Sequence, residues 1–243
     1  MKEQIGEHST WVWPIVGSVH ADTILTTWLA MGVALIFLAW IGNSYRGPRA
    51  GKRQTIFEGI IDYISDMVYG SLGRNGEPYV PFFIALFIYL FLLNQFGVLP
   101  LKALGLPFGG SPTADLNTTV PYAFLIFFGI QVAAIRKNGL GHYAHLAKPF
   151  AILLPLNILE ELTRPVTLAA RLFFNIFVGE LLFIIIASIV VQKITIGPVN
   201  LSLAVSILPF FIQFFNFFVG TIQAFVFTLL GIVYLSLAIA DEH

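Results

Sequence analysis

The sequence predicts an all-α, polytopic membrane protein, with residues 1–243 forming a single transmembrane domain. Hydrophobic residues make up 57% of the chain and charged residues only 11%, whereas a soluble domain carries roughly 25% charged residues. The apolar residues form runs long enough to cross a bilayer as helices, and the alternating pattern of barrel strands is missing. These observations exclude a soluble enzyme and a disordered chain. The formal net charge of zero also argues against a nucleic-acid partner.

Five regions are expected to span the membrane, and the last two should form a hairpin of long, tilted helices. The regions are 23–41, 80–99, 119–135, 154–191 and 201–240. A span needs only about 20 residues to cross a hydrocarbon core of about 30 Å, so the last two helices must tilt or bend. Pro165 and Pro209 are the predicted bend points, and Gly197–Pro198 predicts the turn between these helices.

Residues 54–72 predict an amphipathic helix on the membrane surface or against a partner. Glu58, Asp62 and Asp66 fall at helical spacing on one face, and apolar residues fill the other.

The basic residues predict the orientation of the spans. They cluster after the first and third spans, at Arg46, Arg49, Lys52, Arg53, Arg136, Lys137 and Lys148. The positive-inside rule then places these loops and the C-terminus in the cytoplasm and the N-terminus outside.

Ionisable residues within spans concentrate on the fourth one. They are Glu160, Glu161, Arg164, Arg171 and Glu180. Such residues are costly in a membrane and mark ion pathways. Arg164 follows the two neighbouring acids by four and three residues, a spacing that allows mutual neutralisation.

Arg171 has no acidic residue three or four positions away on its own helix. An arginine cannot release its proton to avoid the cost of burial. We therefore expect a cavity, or a carboxylate on another element, to compensate its charge.

Glu180 lies nine residues beyond Arg171, which places it about 13–14 Å further along the helix and on the opposite side. This position suits a carboxylate in a water-accessible path, although a protonated, hydrogen-bonded structural glutamate also fits. On the last span, Asn216 and Gln223 share a face, and the facing helix offers Asn175 and Glu180 as partners. Amides that join the two helices are the structural alternative.

No cofactor and no metal site are expected. Cysteine is absent, and none of the five histidines lies in a span. The chain also lacks a glycine-rich phosphate-binding motif, so it should not bind ATP itself. The alternatives left open by composition alone are a stand-alone ion channel and a membrane enzyme.

Several strings together resemble subunit a of the F-type ATP synthase membrane sector. They are LAARLFFN at 168–175, GELL at 179–182, IQAFVF at 222–227 and PTADLNTT at 112–119. The resemblance covers nearly the whole chain, from about residue 20 to the C-terminus. It implies a non-catalytic, proton-conducting stator subunit of a rotary ATP synthase. Its partners would be a ring of c subunits, b-type peripheral stalk subunits and the lipid bilayer, in a bacterial plasma membrane or, alternatively, a thylakoid membrane.

The resemblance also implies roles for single residues. Arg171 would face the carboxylates of the ring and separate two offset half-channels. The half-channel open to the outer side would use Glu180, Asn175, Gln223 and Asn216, the cytoplasmic one Glu161, and Asp115 and Asn117 would lie in the outer loop near its mouth. Two departures stand out, since Phe174 replaces the usual glycine of the arginine string and Asn216 stands where some members carry histidine.

Overall fold

The computed structural model describes residues 10–13, 17–44, 52–98, 111–139, 152, 154–191, 195–196, 199–200 and 207–239. The six α-helices in these ranges are α1 Ala21–Ser44, α2 Lys52–Leu72, α3 Val80–Phe96, α4 Leu116–Asn138, α5 Leu154–Val191 and α6 Leu208–Ile239. Two 3-10 helices, Gly73–Tyr79 and Pro112–Ala114, precede α3 and α4.

In the described part of the chain, two short antiparallel hairpins lie outside the helices. Strand β1 (Thr10–Trp13) pairs with β2 (Gly17–His20), and β3 (Thr195–Ile196) pairs with β4 (Val199–Asn200). The second hairpin flanks the predicted turn at Gly197–Pro198, which itself lies outside the described residues.

The helices confirm the prediction of a polytopic all-α membrane protein. Among the described residues, five helical stretches are long and apolar enough to cross a membrane: Thr23–Trp40, Phe57–Phe96, Leu116–Lys137, Leu154–Ser188 and Leu208–Ile239. The second stretch runs through α2, the 3-10 helix and α3. At about 1.5 Å per residue, α5 is about 57 Å long and α6 about 48 Å, so each exceeds the thickness of a hydrocarbon core.

The core lies between α3, α4, α5 and α6. Its largest fully buried side chains include Phe83 and Leu90 of α3, Ile126 of α4, Leu172 of α5 and Phe227 of α6. Helix α1 packs at the edge of this bundle, where Ala30 and Ala34 are buried and most of its large apolar side chains are exposed. These four helices therefore form most of the core, with α1 at its edge.

Helix α2 has the amphipathic character that its sequence predicts. Ile64, Val68 and Leu72 are buried against the core, whereas Asp62 and Asp66 are exposed.

The two candidate bend points occupy different positions in their helices. Pro165 lies inside α5, which continues through it, so a bend there stays a prediction. Pro209 is the second residue of α6, where the absent N–H costs no helical hydrogen bond. The bend predicted at Pro209 is therefore wrong, because this proline begins the helix.

Candidate functional site

Arg171 lies on an exposed face of α5, one turn from the exposed polar residues Thr167 and Asn175. Phe174 and Val178, at helical spacing from it, are 58% and 54% exposed, and Leu172 on the other side of the helix is buried. Within the described ranges no carboxylate or hydrogen-bond acceptor pairs with the guanidinium of Arg171. A permanent charge within a membrane span is costly in lipid, about 2.5–3.5 kcal/mol on insertion scales. The arrangement is therefore suited to a partner outside this part of the chain.

A narrow cleft lies further along α5, between α3, α5 and α6. We call it the Glu180 cleft, and it is lined by Asn94, Gly97, Val98, Asn175, Ile176, Glu180, Asn216 and Val219. It brings together three of the residues that the sequence singled out, Glu180, Asn175 and Asn216. Its polar lining is a carboxylate and three amides, which offer both hydrogen-bond donors and acceptors.

The contacts of this cleft join α5 to α6 and to the segment before α4. The backbone N–H of Ser111 donates to Oε1 of Glu180 at 2.6 Å, and the Asn216 amide donates to the carbonyl of Gly179 at 3.1 Å. A Cβ on Gly179 would lie 2.5 Å from Oδ1 of Asn216. The two helices therefore approach closely at this point because residue 179 has no side chain.

Gln223 and Asn175 form the next polar contact between α5 and α6. The Asn175 amide donates to Oε1 of Gln223 at 2.7 Å. Gln223 is only 2% exposed, and its Nε2 has no partner in the described part of the chain. A buried donor without a partner is unusual, and it is available to a bound water or to a group of a neighbouring protein.

A second cleft surrounds Glu161 near the other end of α5. We call it the Glu161 cleft, and it is lined by Ala123, Ile126, Phe127, Ile130, Glu161, Arg164, Pro165, Leu168 and Tyr234. Its carboxylate accepts from Nε2 of Gln131 at 2.7 Å and lies 3.0 Å from Nη1 of Arg164.

Arg164 completes the polar cluster of this second cleft. Its Nη2 lies 3.1 Å from Oε1 of Glu160, and its guanidinium stacks over the Tyr234 ring, 5.4 Å from the centroid. The two ion pairs that the spacing predicts are therefore both formed, and Arg164, unlike Arg171, is neutralised within its own helix.

Arg171 lies between the two clefts along α5. At about 1.5 Å per residue, Arg171 lies about 15 Å from Glu161 and about 13.5 Å from Glu180, on either side. The order along the helix is the Glu161–Arg164 pair in one cleft, an arginine without a partner in the described ranges, and the Glu180 carboxylate in the other cleft.

The family model of the ATP synthase A chain matches residues 24–236, which is most of the chain. The chain belongs to this family. Membership supports the proton-conducting a subunit of ATP synthase, and it makes the chain a multi-pass part of the membrane sector that takes part in ATP synthesis and proton transport.

In this member of the ATP synthase A chain family, Asp115 has a structural contact that the sequence did not indicate. It caps the N-terminus of α4, where Oδ1 accepts from the backbone N–H of Asn117 at 2.9 Å. Thr23 of α1 also donates to Oδ2 of Asp115 at 3.3 Å. Neither Asp115 nor Asn117 lines one of the two clefts.

Sequence reasoning missed several polar residues of the site. Asn94 is buried, donates to the carbonyl of Gly220 at 2.9 Å and accepts from Thr113 at 2.8 Å. The pair Asn94-Gln95 within an apolar run was a usable signal, because buried amides need partners. Ser111 binds Glu180 through its backbone, which no side-chain pattern reveals.

Metal-binding geometry is absent from the described ranges, where no three histidine, aspartate or glutamate side chains come together.

Proposed function

We propose that the chain is a stator subunit that leads protons through two offset half-channels to and from a rotating ring of c subunits. The observation that carries this proposal is the order of charges on α5. An exposed arginine without a partner in the described ranges lies between two carboxylates, each in its own cleft.

Arg171 would act as the separator of the two half-channels. Its guanidinium stays charged at any working pH, so it repels a proton that moves directly from one cleft to the other. It attracts a deprotonated carboxylate of the ring and has no comparable attraction for a protonated one. Protons must then travel around on the ring, and proton flow becomes coupled to rotation.

The Glu180 cleft would be the half-channel open to the outer side. Glu180 takes up and releases the proton, and the amides of Asn175, Asn216 and Gln223 hold the water that reaches it. Asn216 cannot relay a proton by ionising, so the relay rests on Glu180 and water. Asp115 and Asn117 lie at the start of α4, where they would border the mouth of this path.

The Glu161 cleft would be the cytoplasmic half-channel. Gln131 and Arg164 hold the two oxygens of the Glu161 carboxylate, so its orientation is set from both sides. This direction agrees with the basic residues Arg136 and Lys137 at the nearby end of α4, which the positive-inside rule assigns to the cytoplasm.

The partners would be the c-subunit ring and b-type peripheral stalk subunits, in a bacterial plasma membrane with the N-terminus outside and the C-terminus in the cytoplasm. The thylakoid membrane is the alternative location. ATP would be made elsewhere in the complex, because this chain carries no phosphate-binding motif.

Cysteine crosslinking to the ring tests this function directly, because the chain has no native cysteine. A cysteine at Phe174, beside Arg171 on the exposed face, should crosslink to a cysteine placed next to the c-subunit carboxylate. The matched control is a cysteine at Leu172, which is fully buried in the same helical turn and should not crosslink. Equal crosslinking at both positions, or none at residue 174 in an assembled complex, contradicts the proposal.

A further inference from the structure

Gly97 ends α3 in a conformation that any L-residue can adopt. Its φ of −67° and ψ of −25° lie in the right-handed helical region, so the backbone does not require glycine there. Space is restricted instead. A Cβ at this position would lie 2.6 Å from Cβ of Ser111 and 2.8 Å from Oε1 of Glu180, both well inside ordinary contact distances of about 3.5–4.0 Å.

The backbone around Gly97 is held in place from two directions. The N–H of Val98 donates to the carbonyl of Gln95 at 3.0 Å. The side chain of Gln213 in α6 donates to the carbonyls of Gly97 and Val98. Since the backbone is tied to α6, an added methyl group would displace the side chain of Glu180 or the backbone of Ser111 rather than residue 97 itself.

We propose that Gly97 is a positioning residue for Glu180, an inference that rests on the proton path proposed above. The empty space at residue 97 lets Oε1 of Glu180 reach the backbone N–H of Ser111, at 2.6 Å. A backbone N–H can only donate, so Oε1 serves as the acceptor in this contact. The contact thus fixes the position and orientation of the relay carboxylate in the cleft.

The variant Gly97→Ala should lower proton flux about tenfold. The added methyl group would displace the Glu180 carboxylate by up to about 1 Å, and a displacement of this size has effects of this order on a reacting group. The matched control is Gly129→Ala in the middle of α4, where an added Cβ meets nothing within 4 Å. The control should stay within about twofold of the unaltered protein, as is usual for substitutions away from special sites. Flux is measured by dye quenching in inverted vesicles that hold the whole synthase.

A rescue experiment separates positioning of Glu180 from a mere clash with Ser111. Ser111→Gly removes the Cβ that lies 2.6 Å away and keeps the backbone N–H, so in this background Gly97→Ala meets chiefly Glu180. Adding Glu180→Asp withdraws the carboxylate by one methylene group. We expect this third change to raise the flux of the double variant about threefold or more, as contacting residues couple, although Glu180→Asp alone lowers flux.

The outcomes separate the positioning role from the function on which it rests. Flux of Gly97→Ala equal to that of Gly129→Ala overturns the positioning role. So does a loss that Glu180→Asp fails to relieve in the Ser111→Gly background, because a packing defect alone would behave that way. Arg171→Ala is measured in parallel. If it keeps ATP synthesis, the stator function and the inference fail together, whereas if it loses synthesis while Gly97→Ala behaves normally, only the inference fails.

Discussion

Replacing Arg171 with alanine should stop proton-driven ATP synthesis, whereas replacing Arg164 should only reduce it. The two arginines lie seven residues apart on α5 and differ in their partners. Arg164 pairs with Glu160 and Glu161, and Arg171 has no partner in the described part of the chain. Loss of Arg164 leaves Glu161 bound to Gln131, but loss of Arg171 removes the charge between the two clefts.

The size of the leak through Arg171→Ala follows from the charge that is lost. A proton that crosses directly between the clefts must pass Arg171, which lies about 15 Å from Glu161 and about 13.5 Å from Glu180 along the helix. At about 4 Å separation and an effective dielectric of about 20, the repulsion is about 4 kcal/mol. This corresponds to about a thousandfold suppression of the direct leak, so the alanine variant should leak up to about a thousandfold faster by this route.

The assay uses inverted membrane vesicles with equal amounts of assembled synthase. ATP synthesis is driven by an imposed proton gradient, and the leak is the decay of the gradient without nucleotide. Arg171→Lys serves as the charge-retaining control, with a low leak but impaired synthesis because lysine lacks the planar fork of arginine. Synthesis by Arg171→Ala equal to that by Arg164→Ala, or an unchanged leak, would refute the separator role.

Three further changes test the path and its framework. Among variants of Glu180, proton flux should fall in the order Asp, Gln, Leu. Asp keeps the titratable proton, whereas Gln keeps only the hydrogen bonds. Leu keeps neither and removes the polar group that holds water in the cleft. A cysteine pair at Asn175 and Gln223 should form a crosslink between α5 and α6, since Nδ2 of Asn175 lies 2.7 Å from Oε1 of Gln223. Gly231→Ala should lower the free energy of unfolding by about 1–3 kcal/mol, because the added Cβ would lie 3.1 Å from the buried Phe83 ring. The free energy is measured by denaturant titration in mixed micelles.

Each of these three predictions can be contradicted by a specific result. Equal flux through the Glu180→Gln and Glu180→Leu variants would mean that hydrogen bonding at this position contributes nothing. A pair of cysteines at Asn175 and Gly220 serves as the crosslinking control, and preferential crosslinking of that pair would indicate a different helix register. Gly129→Ala is the stability control for Gly231→Ala, and equal unfolding midpoints for the two variants would show that the core at Phe83 adapts to the added methyl group.

The helices could be predicted from the sequence because their signals are local. The span beginning at Leu154 was predicted with the observed bounds, Leu154–Val191. The last span was expected from residue 201 but α6 begins at Leu208. The apolar composition continues before the helix, and the helix starts where Pro209 fits its first turn.

About half of the site was also readable from the sequence. The period of 3.6 residues decides which side chains share a face of one helix, so the pairing of Arg164 with its two acids followed directly. Partners on other helices, such as Asn94, Gln131 and the backbone of Ser111, could not be assigned in this way, because a helical pattern carries no information about the register of its neighbours.

The sequence by itself determined the membrane class, the helices and the family, because length, hydropathy and local spacing are properties of single segments. Only the tertiary structure decided that Glu180 binds the N–H of Ser111 and that Gln223 binds Asn175. These contacts depend on the register of α5 and α6 relative to each other and to α3. That register is set by close approach at residues such as Gly179 and Gly97, where missing side chains let atoms far apart in the chain meet.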